Sequence, residues 1–247
     1  MKMIDFVNVN KVFENENRED IKDINIKIDK GDIFGFVGKD SLETATLLKM
    51  INLLEEPTKG RILVDKVDVL GLNDRNLNTI RKRIGMVFKN ENIIESKTVY
   101  ENLQIPLILE RFPIEEMRER IYKSLDFVNL SDKACEYPFN LSYEEKYRIA
   151  IARAIVAKPL VLLCEDITGK FNNEFTRSTL NILKRIHRET NVTIVLSTNK
   201  IMVAKTICNK LAIIEKGKIE EIGSISEIVS NPKSKIYCLE RMDIKCS

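Results

Sequence analysis

IFGFVGKDSLETATLLKMINLL, residues 33–54, contains a strand, a turn and a helix in that order. The apolar run 33–37 reads as a buried strand and the turn spans 38–43. Leu47, Leu48, Met50, Ile51 and Leu54 then recur at helical spacing. That succession aims backbone N–H groups of a helix N-terminus into the turn, where phosphate binds. A working phosphate loop follows the spacing G-x-x-x-x-G-K-[ST]. Gly38 supplies the first glycine, but Glu43, Thr44 and Ala45 hold the last three positions. The frame of a phosphate site is written here, and the phosphate chemistry is not.

On both sides of this stretch, apolar runs alternate with helical patterns. Residues 2–8 and 21–28 read as strands. In the second, Ile24, Ile26 and Ile28 alternate with Asn25 and Lys27, the pattern of a sheet wet on one face. Further strands are expected at 61–64, 84–88, 160–164 and 192–196, with a hairpin-like pair at 211–214 and 218–222 around Lys216-Gly217. Helices are expected at 174–190 and 201–208, and residues 224–241 look helical and polar. Between 90 and 158 the periodic sets are helical, among them Ile114, Met117, Ile121, Leu125 and Val128. That segment reads as a helical insertion, with Pro138 and Pro159 as boundaries. Strands alternating with helices predict an α/β doubly wound sheet.

The 247-residue chain is 44% hydrophobic and 31% charged, an ordinary globular composition. Its 40 basic and 37 acidic residues leave a net charge of +3, too even to point to nucleic acid. The five cysteines (Cys135, Cys164, Cys208, Cys238, Cys246) are odd in number and form no C-x-x-C pair, which argues against zinc and against a disulfide framework. Scattered free cysteines suit a reducing cytoplasm, and Cys164 reads as a buried small hydrophobe. Residues 1–13 lack the apolar core of a signal peptide, and no apolar run approaches the ~18 residues of a membrane span. A cytoplasmic chain without a transmembrane segment is expected.

Together these stretches resemble the ATP-binding subunits of ABC transporters, most closely those of methionine importers. The resemblance covers about residues 2–241. It rests on KVF at 11–13, the glycines of GFVG at 35–38, INLLEEPTKGRILVD at 51–65 and IRKRIGMVF at 80–88. YPFNLS at 137–142, RIAIARAI at 148–155, KPLVLLC at 158–164 and VTIVLST at 192–198 complete it. The resemblance implies a P-loop NTPase-type α/β fold. Residues 1–89 and 159–247 would form a RecA-like parallel-sheet core with an antiparallel β subdomain, and residues 90–158 a helical subdomain. It also implies Mg-ATP, a homodimer, and a membrane permease docked on the helical subdomain at the inner face of the cell membrane. Val99, Tyr100, Leu103, Ile105 and Leu107 make an apolar stretch that either lines such a groove or belongs to the core, the core being the simpler role. Methionine-importer subunits often carry a further C-terminal ligand-sensing domain. This chain stops before one, so feedback by bound methionine is not expected.

The residues depart from the family's pattern where the family does its chemistry. Glu43 places a carboxylate where a glycine lets backbone N–H groups approach phosphate. Like charges ~4 Å apart repel by roughly 4 kcal/mol at an effective dielectric of 20. Ser41 takes another glycine-type position, Thr44 the place of the phosphate-binding lysine, and Ala45 that of the magnesium-binding serine. Thr46 matches the family. Lys39 is a candidate substitute cation. Lys89 replaces a glutamine that contacts magnesium and reads as a solvated lysine at a strand end. The signature L-S-G-G-Q appears as Leu141-Ser142-Tyr143-Glu144-Glu145, in which Ser142-x-x-Glu145 is a capping box. Glu165-Asp166 inverts the family's Asp-Glu order and reads as two solvated carboxylates at a strand end. Gly169-Lys170-Phe171-Asn172 replaces the loop S-A-L-D, and Asn199 replaces the histidine that contacts the γ-phosphate. His187, the single histidine, reads as a surface residue.

Glu165, Asp166 and Asn199 therefore stand as vestigial catalytic positions, and no metal-ligand set is present. Phe13, aligned with the family's adenine-stacking aromatic or equally a core residue, remains as a candidate cofactor contact with Gly38 and Thr46. The sequence predicts an ABC-type nucleotide-binding fold that neither binds Mg-ATP tightly nor hydrolyses it, a pseudo-ATPase or scaffold. The alternative is a working subunit of a methionine-type importer that uses substitute residues, Lys39 or Lys89.

Overall fold

The computed structural model describes residues 1–14, 20–167, 173–237, 239 and 240. Two sheets make its frame. Strands β1 (Lys2–Lys11), β2 (Ile21–Asp29), β4 (Lys59–Val64) and β5 (Val67–Asp68) form an antiparallel sheet in the order β2-β1-β4-β5. The larger sheet contains β3 (Ile33–Gly38), β6 (Ile84–Val87), β7 (Val161–Glu165), β8 (Thr193–Thr198), β9 (Lys210–Glu215) and β10 (Lys218–Ser224). Its order is β10-β9-β3-β8-β7-β6, parallel except for the edge strand β10.

Successive residues of the parallel strands enter two different cores. Ile33 and Val37 of β3 join one, and Phe34 and Phe36 the other; Leu162 and Cys164 of β7 divide from Val161 and Leu163 in the same way. A strand buried on both faces has to be apolar throughout, which explains why these segments read as runs and not as alternations. The second core joins the two sheets. There Phe6 and Phe34 each meet Phe36 edge-on, at centroid distances of 6.1 and 5.4 Å. Leu47 and Leu48 of α1 (Ser41–Met50) and Ile80 of α2 (Asp74–Lys82) fill it from the side. The first core holds α3 (Val99–Leu109), α4 (Ile114–Phe127) and α5 (Tyr143–Ile155), which lie between β6 and β7 in sequence. It also takes α6 (Asn173–Thr190), α7 (Ile201–Ile207) and, through Ile228, α8 (Ile225–Ser230). Cys164 is fully buried, and burial pushes its thiol up to about 12.

Three expectations need correction. Helix α1 begins at Ser41, inside the segment read as a turn, because Asp40 caps it; it ends at Met50, leaving Leu54 outside and exposed. Of the segment 224–241, which looks helical and polar in sequence, the described residues do not form one polar helix. Helix α8 stops before Pro232, which cannot continue it, and Ile228, Ile236 and Leu239 are buried. His187 is half-buried, with its Nδ1 2.9 Å from the Val192 carbonyl oxygen.

Among the described residues, capping boxes start three helices: Thr98 with Glu101, Ser142 with Glu145, and Ser224 with Glu227. In each, the hydroxyl accepts the N–H of the glutamate and the carboxylate accepts the N–H of the cap. Those bonds hold the carboxyls of Glu101, Glu145 and Glu227 below their ordinary 4.5. A depressed folded-state value adds stability above the unfolded value, and that stability is lost as pH falls through the folded one. Unfolding midpoints in urea are therefore expected to drop below about pH 4.5, and Glu145→Gln should flatten that dependence. At neutral pH, Ser142→Ala is expected to cost about 1 kcal/mol.

Candidate functional site

The carboxyl ends of β3, β8 and β7 lie side by side, with Val37 opposite Thr198 and Glu165 opposite Ser197. Gly38, Asn199 and Asp166 follow these positions directly and so share one edge of the sheet. Open α/β sheets bind ligands in the crevice outside such strand ends.

The turn from β3 into α1 carries its own anion. The Asp40 carboxylate accepts the Leu42 N–H at 2.7 Å as the cap of α1. Neither Asp40 nor this role was singled out from the sequence, although an Asp followed three residues later by Glu43 is a start signal. Glu43 is buried, and its Oε1 accepts the Gly217 N–H at 2.9 Å, which ties α1 to the turn between β9 and β10. Thr44 is also buried and donates its hydroxyl to the Ser41 carbonyl at 3.2 Å. Thr46 is buried and Lys39 exposed. A Cβ on Gly38 would lie 2.7 Å from the Ile214 carbonyl oxygen, so packing of β3 on β9 is sufficient reason for that glycine.

Glu165 and Asp166 are not solvated. They are 9% and 8% exposed, and each holds an ammonium group. Lys49 Nζ of α1 lies 2.7 Å from Glu165 Oε1, and Lys89 Nζ lies 2.8 Å from Asp166 Oδ2. The hydrogen bond to Asp166 raises Lys89 above the ordinary lysine range. Lys89 is thus an ion-pair partner and not a free surface lysine, and Lys49 is a second such partner that no local motif announces. Asp166 adopts φ +41° and donates its N–H to the Ser197 carbonyl at 3.1 Å. Asn199 is exposed at the end of β8.

Phe13 is half-buried against the second core. Its N–H donates to Asp20 Oδ1 at 3.1 Å, and Lys11 Nζ sits 5.8 Å from its ring centroid. Ser142 and Glu145 form the expected capping box of α5. Burial and the Glu91 carboxylate raise the Tyr143 hydroxyl to about 12. The stretch 169–172 lies outside the described residues.

A groove of about 640 Å³ runs between α2, β6, α3 and α5. Its apolar lining includes Ile84, Met86, Phe88, Ile105, Pro106 and Leu109, and Arg81, Lys82, Arg153 and Glu110 also border it. Of the stretch singled out in α3, only Ile105 lines this groove; Val99, Leu103 and Leu107 are core, and Tyr100 packs near Tyr122 with centroids 6.3 Å apart. Arg153 donates to the carbonyls of Glu91 and Asn92 at 2.9 and 2.8 Å, pinning the segment after β6 to α5. Among the described residues, no helix is long and apolar enough to cross a membrane.

Both the sequence and the fold are similar to those of known proteins. The chain is 40% identical over 235 residues to methionine import ATP-binding protein MetN 1 of Bacillus thuringiensis subsp. konkukian, covering 94% of itself and 69% of that protein. The fold matches cbiO1 of Clostridium perfringens, part of the ABC transporter complex cbiONQ, with a TM-score of 0.85 at 22% identity, over 93% of this chain and 91% of that one. It also matches the dimeric post-hydrolysis state of the ATP-binding cassette MJ0796 bound to ADP and Pi, with a TM-score of 0.80 at 28% identity, over 90% and 99% of the two chains. A family model described as ABC transporter covers residues 21–169. With more than half its length inside that model and 40% identity to MetN 1 over 94% of itself, the chain belongs to the ABC transporter family.

Proposed function

We propose that the chain is the cassette subunit of an importer of the methionine type, held at the inner face of the membrane by a permease and paired with a second cassette. We further propose that it does not hydrolyse ATP at its own phosphate loop. The 40% identity to MetN 1 over 94% of the chain supports the importer class. The groove between α2, β6, α3 and α5 supports a docked permease segment, because it offers an apolar floor beside charged side chains. In this reading, residues 1–89 and 159–247 act as the core and residues 90–158 as the docking subdomain.

One observation carries the silent site: both carboxylates at the end of β7 are already neutralised, Glu165 by Lys49 and Asp166 by Lys89. The residues do not fit Mg-ATP. Asp40 occupies the α1 N-terminus, Glu43 adds a second carboxylate to its first turn, Thr44 offers no cation and turns its hydroxyl to the Ser41 carbonyl, and Ala45 has no side-chain oxygen for magnesium. The purified chain, alone and with its permease, is expected to show no ATP turnover above background. A rate near ~1 per second, ordinary for an enzyme, would end this reading.

A second reading is a working ATPase that uses substitute residues, and the relatives, named as ATP-binding proteins of methionine import, favour it over the silent one. Lys89 is committed to Asp166, which leaves Lys39, exposed beside Gly38, as the substitute cation. In that case Lys39→Ala abolishes turnover.

A further inference from the structure

Asp166 is over-determined. A non-glycine residue at φ +41° is strained, and such backbone persists only where its surroundings hold it. Here the Ser197 carbonyl and hydroxyl oxygens take its N–H at 3.1 and 3.3 Å, and Lys89 takes its carboxylate at 2.8 Å. Its neighbour Glu165 is taken from the other side, by Lys49 of α1. Two carboxylates and two ammonium groups sum to zero charge in a setting where the carboxylates are almost fully buried. Lys89 lies just past β6, and the residue before it, Phe88, lines the groove beside Met86.

We propose that Lys49 and Lys89 are built-in counter-ions that take the place of a divalent cation at the end of β7, and that the Lys89–Asp166 pair latches the segment after β6, and with it one wall of the groove, in a single position whether or not nucleotide is present. The proposal rests on the reading of a silent cassette and assigns that site a new role. The groove becomes a fixed docking platform whose shape is set by an internal ion pair. A buried carboxylate without a counter-charge is costly, so removing the lysines exposes an unmet demand for a cation.

Two measurements on the full chain test it. Hydrogen exchange of peptides covering 84–97 is expected to be unchanged by Mg-ATP in the unaltered chain and about 5–10-fold faster in Lys89→Gln. Titration with Mn²⁺, followed by the paramagnetic signal of the free ion, is expected to show at least tenfold tighter uptake by Lys49→Gln/Lys89→Gln than by the unaltered chain. If the double variant does not fold, Lys89→Gln alone is titrated, with the same tenfold criterion. Unchanged exchange in Lys89→Gln overturns the latch, and equal Mn²⁺ uptake overturns the counter-ions. A Mg-ATP-dependent exchange pattern over 84–97 in the unaltered chain likewise overturns the latch, whereas ATP turnover by the unaltered chain overturns the silent-cassette reading, so the two failures are told apart.

Discussion

Glu43→Gly, Thr44→Lys and Ala45→Ser together are expected to raise the affinity for ATP by about a thousandfold over the unaltered chain. An ammonium ~4 Å from a phosphate oxygen contributes roughly 4 kcal/mol at an effective dielectric of 20, and each ~1.4 kcal/mol is a factor of ten. Removing the Glu43 carboxylate from the first turn of α1 works in the same direction. The change also removes the bond from Gly217 to Glu43, a buried bond to a charged group worth about 1.5–3 kcal/mol, so the variant should be less stable without ligand. Turnover is expected to stay at background, since Asp166 remains paired with Lys89 and Asn199 carries no charge. A fluorescent ATP analogue, titrated with and without magnesium, reads the affinity. No gain in a variant that retains its circular-dichroism spectrum contradicts the electrostatic account of the loop.

Gly217→Ala is expected to destabilise the chain by about 2–4 kcal/mol. Gly217 has φ +70°, and a Cβ there would lie 1.8 Å from the Asp20 carbonyl oxygen, which is backbone and cannot swing aside. Its carbonyl accepts the Lys22 N–H at 2.8 Å and its N–H reaches Glu43, so the turn links β2, α1 and the β9–β10 hairpin. Gly71→Ala is the control, because a Cβ at Gly71 meets nothing within 4 Å; its effect should stay within about 0.5 kcal/mol. Denaturant unfolding of both variants makes the comparison, and equal midpoints contradict the steric argument.

Much of the frame could be read from local pattern. Segments 33–37 and 161–164 are buried on both faces, so each is a continuous apolar run and was legible as a strand; 192–196 was legible too, although Thr193 interrupts its apolar residues. The Ser142–Glu145 box was equally legible, since both partners lie within four residues. The pairing of Glu165 with Lys49 and of Asp166 with Lys89 was not, because it is created only when α1 and the end of β6 are laid beside β7. The carboxylates therefore read as solvated, the default for charged side chains. Glu43 is a similar case: its partner is the backbone of Gly217, far along the chain, which no local pattern announces.

The place of β3 in the sheet has a consequence for synthesis. Its neighbours, β8 and β9, are both made late, and the bond from the Gly31 N–H to the Thr193 hydroxyl spans 162 residues. Closing a loop of that length costs about 4–5 kcal/mol in chain entropy before any contact compensates. A nascent chain leaving the ribosome therefore presents Phe34, Phe36 and Val37 with no strand to pair them until the last quarter of translation. Premature termination anywhere before β8 should yield insoluble fragments and not a stable smaller fold.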